Sequence, residues 1–284
     1  MLTRVINNVK TVILLAAIMG LAMALGSLWG TGGLIAGFLF GGVMNLLAYF
    51  YSDKLALAAM RAREVSPEEA PRLHAVVEEL SARAGLPKPR VYVSPHSAPN
   101  AFATGRSPRH AAVCVTEGLL RLLSPQELSA VLGHELAHVK HYDILISSIA
   151  ATIAGAISML AHFAFFFAPY GGDDEGPNPI VFLLTILFAP IAATIIQLAI
   201  SRSREYAADS RGAEIHGNPL DLASALQKLE LYAKRVPLQV PESHANMFIV
   251  QPLTATSALS ALFSTHPPTE KRIEKLYRQA GVRP

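Results

Sequence analysis

TVILLAAIMGLAMALGSLWGTGGLIAGFLFGGVMNLLAYFYS, residues Thr11–Ser52, holds no Asp, Glu, Lys or Arg. A bilayer crossing takes about 20 apolar residues, so these 42 residues are enough for two helices. Gly26, Gly30, Gly32 and Gly33 break the run at its middle, beside Trp29. That pattern predicts a tight helical hairpin with an aromatic at the interface, with spans near 11–28 and 34–51. The second apolar run follows at once, without a small-residue cleavage pattern, which argues against a removable signal peptide. Two more charge-free runs, 144–172 and 176–201, predict a third span near 144–167 and a fourth near 180–200. Pro190 would kink the fourth, which neighbouring helices tolerate in a membrane.

Composition agrees with this reading. Of 284 residues, 51% are hydrophobic and 16% charged, against about 25% charged in an ordinary soluble domain. A wholly soluble chain and a disordered one are both excluded. A single Cys, Cys114, excludes a disulfide scaffold and a cysteine zinc cluster, and fits a reducing compartment. In a strand, a small buried residue is its expected use.

Charge sets the expected orientation. Arg4 and Lys10 precede the first span, and Lys54, Arg61 and Arg63 follow the second. Lys140 precedes the third, and Arg202, Arg204 and Arg211 follow the fourth. The turn between the third and fourth holds Asp173, Asp174 and Glu175 and no cation. By the positive-inside rule both termini and both polar stretches, 53–143 and 202–284, are cytoplasmic. The net charge of +3 becomes +6 inside once that −3 turn is set aside, which suits an anionic leaflet. The two stretches are expected to form one domain, interrupted by the hairpin 144–201, with residues 1–52 as the other hairpin.

Ser66-Pro67-Glu68-Glu69 and Ser124-Pro125-Gln126-Glu127 both read as helix starts with a capping box. Arg90–Ser94 and Ala111–Thr116 read as strands. From Pro125 a single helix is expected to run on towards the third span. It carries His134-Glu135-Leu136-Ala137-His138. Histidines at i and i+4 lie on one helix face, so both imidazoles can reach one metal ion, and Glu135 projects beside them as a base.

A catalytic zinc wants three protein ligands and one open position. His141 lies a further turn along the same face. A rise of about 5.4 Å per turn is too long for three successive turns to reach one ion through bonds of about 2.0–2.1 Å. Glu205 is the better third ligand. His138 just precedes the third span and Glu205 just follows the fourth, so a membrane hairpin returns one to the other. Asp209, one turn beyond Glu205, is placed to accept the outer N–H of a ligand histidine. Without the histidine motif, Glu205 and Asp209 would read as surface acids among Arg202, Arg204 and Arg211.

The whole set of motifs resembles the HtpX-type membrane zinc metalloproteases, relatives of the prenyl-protein CAAX endopeptidases. It comprises the H-E-L-A-H before a span, Ser201-Arg-Ser-Arg-Glu-Tyr-Ala-Ala-Asp209 after the next, Asn100-Ala-Phe-Ala-Thr-Gly105 upstream and Ser264-Thr-His-Pro-Pro268 downstream. The resemblance covers nearly the whole chain. It implies a gluzincin with zinc on His134, His138 and Glu205, Glu135 as base and acid, and Asp209 behind the histidines. It further implies that Asn100 helps hold the substrate backbone and that His266 stabilises the tetrahedral intermediate.

The expected fold is a mainly α integral membrane protein. Four transmembrane helices would carry one cytoplasmic α+β zincin-like domain with a small sheet. The implied role is turnover of damaged or misassembled membrane proteins, under stress, at the cytoplasmic face of a bacterial inner membrane. Its partners are unfolded and membrane-protein substrates and the lipid bilayer, with no nucleic acid. A peptide is expected to pair with a free edge of the strand carrying Ala111, Val113 and Val115; an interior strand would offer none.

Rival readings are a prenyl-peptide processing protease and a non-catalytic zinc-bearing scaffold. A structural zinc site needs no base and usually no open position, so Glu135 argues against the scaffold. A transporter would carry charges in its spans, where His162 alone is ionisable.

Overall fold

The computed structural model describes residues 2–27, 30–150, 202–235 and 267–282. The remainder of the expected third span, all of the fourth, the acidic turn 173–175, Trp29 and His266 lie outside the described residues.

Two described helices, α1 (Leu2–Ser27) and α2 (Gly30–Ala59), contain stretches long and apolar enough to cross a membrane. They meet through glycine. A Cβ on Gly26 would stand 2.1 Å from the Gly33 carbonyl oxygen, and one on Gly37 2.3 Å from that of Ala22. Backbones this close gain the packing that apolar tails cannot otherwise supply between helices in lipid. Val12, Ile13, Phe38, Leu39 and Phe40 face outward. At 1.5 Å per residue, α2 is about 45 Å long, well beyond the ~30 Å hydrocarbon thickness. Its last turns leave the apolar stretch and pack Ala56, Leu57 and Met60 against Tyr92, Phe102, Ala112 and Cys114 on one face of a sheet.

That sheet has four strands: β1 (Arg63–Glu64), β2 (Arg90–Ser94), β3 (Ala101–Thr104) and β4 (Ala112–Thr116), in the order β1-β2-β4-β3. β2 and β4 run parallel, with Arg90 opposite Ala112 and Ser94 opposite Thr116. β1 and β3 are antiparallel to their neighbours. The other face is covered by α3 (Pro71–Ala84) and α5 (Pro125–His141). Leu73, Val77 and Leu80 pack there with Val113, Val115, Leu132 and Leu136.

The first expected helix start is only half realised. Ser66 and Glu69 do exchange capping bonds, with Ser66 N–H donating to the Glu69 carboxylate at 2.8 Å and Glu69 N–H to Ser66 Oγ at 3.3 Å. The helix nevertheless begins at Pro71. A second proline has no N–H for the next intrahelical bond and pushes its predecessor out of the helical region. Ala70 accordingly sits at φ −135°, ψ 59°.

After the short α4 (Glu117–Leu122), α5 opens with the full capping box of Ser124 and Glu127. α5 does not run unbroken towards the membrane. It ends at His141, Tyr142 takes a left-handed conformation (φ 61°, ψ 26°), and helix resumes over 143–150. The remaining described helices are α6 (Arg202–His216), α7 (Pro219–Arg235) and α8 (Thr269–Gln279). Glu127 does more than cap: it accepts from Ser224 Oγ at 2.6 Å and from Lys228 Nζ at 2.8 Å, binding α5 to α7.

α5 and α6 cross at a pair of glycines. A Cβ on Gly212 would lie 2.6 Å from both N and Cα of His134, and one on Gly133 2.8 Å from the Gly212 carbonyl oxygen. This crossing sets how far Glu205 stands from the histidines. Gly212→Ala should therefore force the helices apart, at about 1–3 kcal/mol of stability, and weaken metal binding. Thermal unfolding and metal content of the purified variant check this; a variant with unchanged metal affinity would contradict it.

Candidate metal centre and active site

Three side chains converge where α5 and α6 cross. Nε2 of His134 and Nε2 of His138 are 3.2 Å apart, with the two rings nearly perpendicular. Glu205 Oε1 lies 3.5 Å from His138 Nε2, and its Oε2 3.9 Å from His134 Nε2. His134 and Glu205 are buried, and the side chain of His138 is 15% exposed. Residues 67 positions apart in the chain are thus neighbours.

The outer nitrogens of both rings face carboxylates. His138 Nδ1 donates to Asp143 Oδ2 at 3.1 Å. His134 Nδ1 lies 3.0 Å from Asp209 Oδ1, in charge contact though off-line for a hydrogen bond. A carboxylate beside Nδ1 holds the hydrogen there. With both rings neutral and their hydrogens on Nδ1, as metal ligation requires, both Nε2 atoms present lone pairs to each other and to the Glu205 carboxylate. Three acceptors in a buried cluster repel one another unless a cation sits among them. A tetrahedral centre with bonds of about 2.0–2.1 Å sets its ligand atoms roughly 3.3 Å apart, and the observed separations of 3.2, 3.5 and 3.9 Å bracket that value. The donor set, two imidazoles and one carboxylate, fits zinc.

Glu135 stands beside this group and is not part of it. It is 5% exposed, and its Oε2 accepts the N–H of Ala103 in β3 at 2.8 Å. Burial pushes its carboxyl up, against the pull of the two imidazoles and of the Ala103 bond. A raised carboxyl is what a group exchanging a proton near neutral pH requires.

Asp209 is itself held. Arg272 in α8 grips it at both oxygens, Nε to Oδ2 at 2.8 Å and NH2 to Oδ1 at 2.6 Å. Burial alone would raise the Asp209 carboxyl; the guanidinium outweighs it and holds the group at about 2. Cys114 behaves as a buried filler, its thiol pushed up to about 12 by desolvation.

The expected peptide-binding edge is displaced. β4 is interior, between β2 and β3, so Ala111, Val113 and Val115 offer no free edge; Ala111 is already bonded through its carbonyl to Arg90 N–H. A short β3 that sequence patterning missed takes that side of the sheet. Asn100, just before it, is fully buried, with its N–H on Thr116 Oγ1 and its carbonyl on Thr116 N–H. Strand alternation then turns the backbone groups of Phe102 and Thr104 towards β4 and those of Ala101 and Ala103 outward. The Ala103–Glu135 bond agrees with that phase. Among the described residues, no strand pairs with the outer side of β3.

Asp143, Arg272 and Ala103 were not singled out by sequence. Arg272 had a signal: it lies four residues before Leu276, on the apolar side of α8. His141 stays away from the metal group, and its carbonyl accepts from Asn7.

Residues 67–280 match Peptidase family M48. The protease HtpX homologue of Persephonella marina is 54% identical over 282 residues, covering 96% of this chain and 98% of that protein. The homologue of Desulforapulum autotrophicum is 52% identical over 276 residues, covering 95% and 89%. The crystal structure of S. mikatae Ste24p shares the fold, with a TM-score of 0.54 at 20% identity, covering 97% of this chain and 67% of that one. The chain belongs to Peptidase family M48, among the HtpX-type membrane metalloproteases.

Proposed function

We propose that the chain is a zinc endopeptidase that cleaves damaged or misassembled membrane proteins at the cytoplasmic face of a bacterial inner membrane. In this reading His134, His138 and Glu205 hold the metal, and Asp209 orients His134. The observation that carries it is the pair of facing Nε2 atoms, 3.2 Å apart and each backed by a carboxylate. A cation shared among them makes that arrangement favourable. In this reading the stretches 53–143 and 202–284 supply the two parts of one site, His134 and His138 from the first and Glu205 from the second.

Zinc, when bound, would supply a Lewis acid and a water acidic near neutral pH. Glu135 takes a proton from the water attacking the scissile carbonyl, as a carbon–oxygen bond forms. It returns that proton to the amine nitrogen as the carbon–nitrogen bond breaks. His266 is assigned to the developing oxyanion. The substrate lies extended along β3, paired with the outward groups of Ala101 and the carbonyl of Ala103, whose N–H stays on Glu135. Main-chain pairing asks little of sequence, which suits a protease that clears misassembled proteins. Asn100, enclosed at the start of β3, serves the substrate through the edge it begins.

The ligand set has a direct test. Purified wild type should hold one zinc per chain. His134→Ala, His138→Ala and Glu205→Ala should each lose it, and His141→Ala should keep it. Loss in His141→Ala with retention in Glu205→Ala would overturn the assignment. Release of fragments from a membrane-protein substrate, abolished by a chelator and restored by zinc, separates the protease from a zinc-bearing scaffold.

A further inference from the structure

We infer that Asn7, in the first membrane helix, is a positioning residue for the metal-binding imidazole of His138, acting through Asp143. The inference rests on the assignment of His138 as a ligand.

Asn7 is 2% exposed on a mostly apolar helix. A buried amide is costly there unless its hydrogen bonds are met, and each end of this one is engaged. Nδ2 donates to Asp143 Oδ1 at 2.7 Å and to the His141 carbonyl at 3.1 Å. Oδ1 accepts from Arg204 NH1 at 3.1 Å. Arg204 Nε also lies 3.8 Å from Asp143 Oδ1. The two carboxylate oxygens of Asp143 are therefore divided: Oδ1 belongs to Asn7 and Arg204, and Oδ2 to His138 Nδ1. With both oxygens held, the carboxylate plane is fixed, and with it the tautomer and tilt of the imidazole.

The second bond secures the backbone that makes this relay available. The break at Tyr142 turns Asp143 back towards His138, and the carbonyl of His141 immediately before the break is held by Asn7. One carboxamide thus ties α1 to the end of α5 and to the first turn of α6, three segments distant in sequence. α1 is more than an anchor: it contributes the outermost member of a chain of contacts ending at the metal group. Asn suits the position because it both donates and accepts. Asp at the same place would set a second carboxylate against Asp143.

The test uses the full-length protein in detergent, with zinc affinity measured by chelator competition for wild type, Asn7→Leu, Asn7→Asp, Asp143→Asn and the double variant Asn7→Leu/Asp143→Asn. Loss of a carboxylate behind a ligand histidine typically weakens metal binding about 10–100-fold. Asp143→Asn should fall in that range, and Asn7→Leu, which keeps the side-chain size but makes none of these hydrogen bonds, should weaken binding by about tenfold. Asn7→Asp should be at least as weak as Asn7→Leu. The double variant should bind no more weakly than Asp143→Asn, because Asn7 acts only through Asp143. The visible spectrum of the cobalt-loaded protein supplies a second readout. Its ligand-field bands should shift in Asn7→Leu, which a purely structural role for Asn7 would leave in place. Unchanged zinc affinity and an unchanged cobalt spectrum in Asn7→Leu overturn the inference, as does an additive loss in the double variant. Retention of zinc in His138→Ala would instead overturn the ligand assignment, independently of Asn7.

Discussion

Glu135→Gln should retain its metal and lose turnover by about 10²–10⁴-fold, the usual contribution of a positioned proton-transfer group. The structure explains why the two effects separate. The group that could hold a metal is His134, His138 and Glu205, so ligation in the proposed site asks nothing of residue 135. Glutamine keeps the side-chain length and an oxygen to accept the Ala103 N–H, so the contact between α5 and β3 survives. It cannot take up the proton. Folding and metal content therefore stay near wild type while fragment release falls. The corollary is visible on a gel: self-cleavage, if it occurs in wild type when detergent loosens the fold, should be absent from the variant. Equal turnover per metal-loaded molecule would mean that Glu135 is not the base.

The second large effect is expected at Arg272. Its guanidinium and the Asp209 carboxylate are both buried, at 1% and 4% side-chain exposure, and joined at two points. Removing one partner of such a pair leaves a buried charge uncompensated, at about 3–5 kcal/mol. Arg272→Met keeps the apolar packing of α8 and isolates that term. Thermal and denaturant unfolding should show the loss in the metal-free protein. Metal affinity should fall as well, because Asp209 is no longer held towards His134. In the double variant Arg272→Met/Asp209→Asn no charge is left unpaired, so part of the stability should return. Wild-type stability in Arg272→Met would show that the pair contributes nothing.

What could be read from the sequence was what depends on local period or on composition. The charge-free run Thr11–Ser52 gave the first hairpin, and the i, i+4 histidines gave one face of α5. The link from His138 to Glu205 came from a topological argument, that a membrane hairpin returns to the surface it left. Local patterning failed where a single backbone event decides the outcome. The left-handed residue Tyr142 is what brings Asp143 back to His138, and a Tyr carries no signal for that conformation. Pro71 delayed a helix whose capping box at Ser66 was correctly read. Four residues of β3 were too short a run to mark as a strand, so the edge was assigned to Ala111–Thr116, which proves interior. Asn7 and Arg272 were passed over for a different reason: a polar residue on an apolar face signals that it meets a partner, and only the fold shows which one.

The central claim is that one metal, held between His134, His138 and Glu205, makes this chain a peptidase. It is tested most directly by measuring zinc per chain and fragment release together, on the same preparations of wild type, Glu205→Ala and Glu135→Gln. The account predicts metal and cleavage in wild type, neither in Glu205→Ala, and metal without cleavage in Glu135→Gln. Cleavage by Glu205→Ala without bound metal would contradict it.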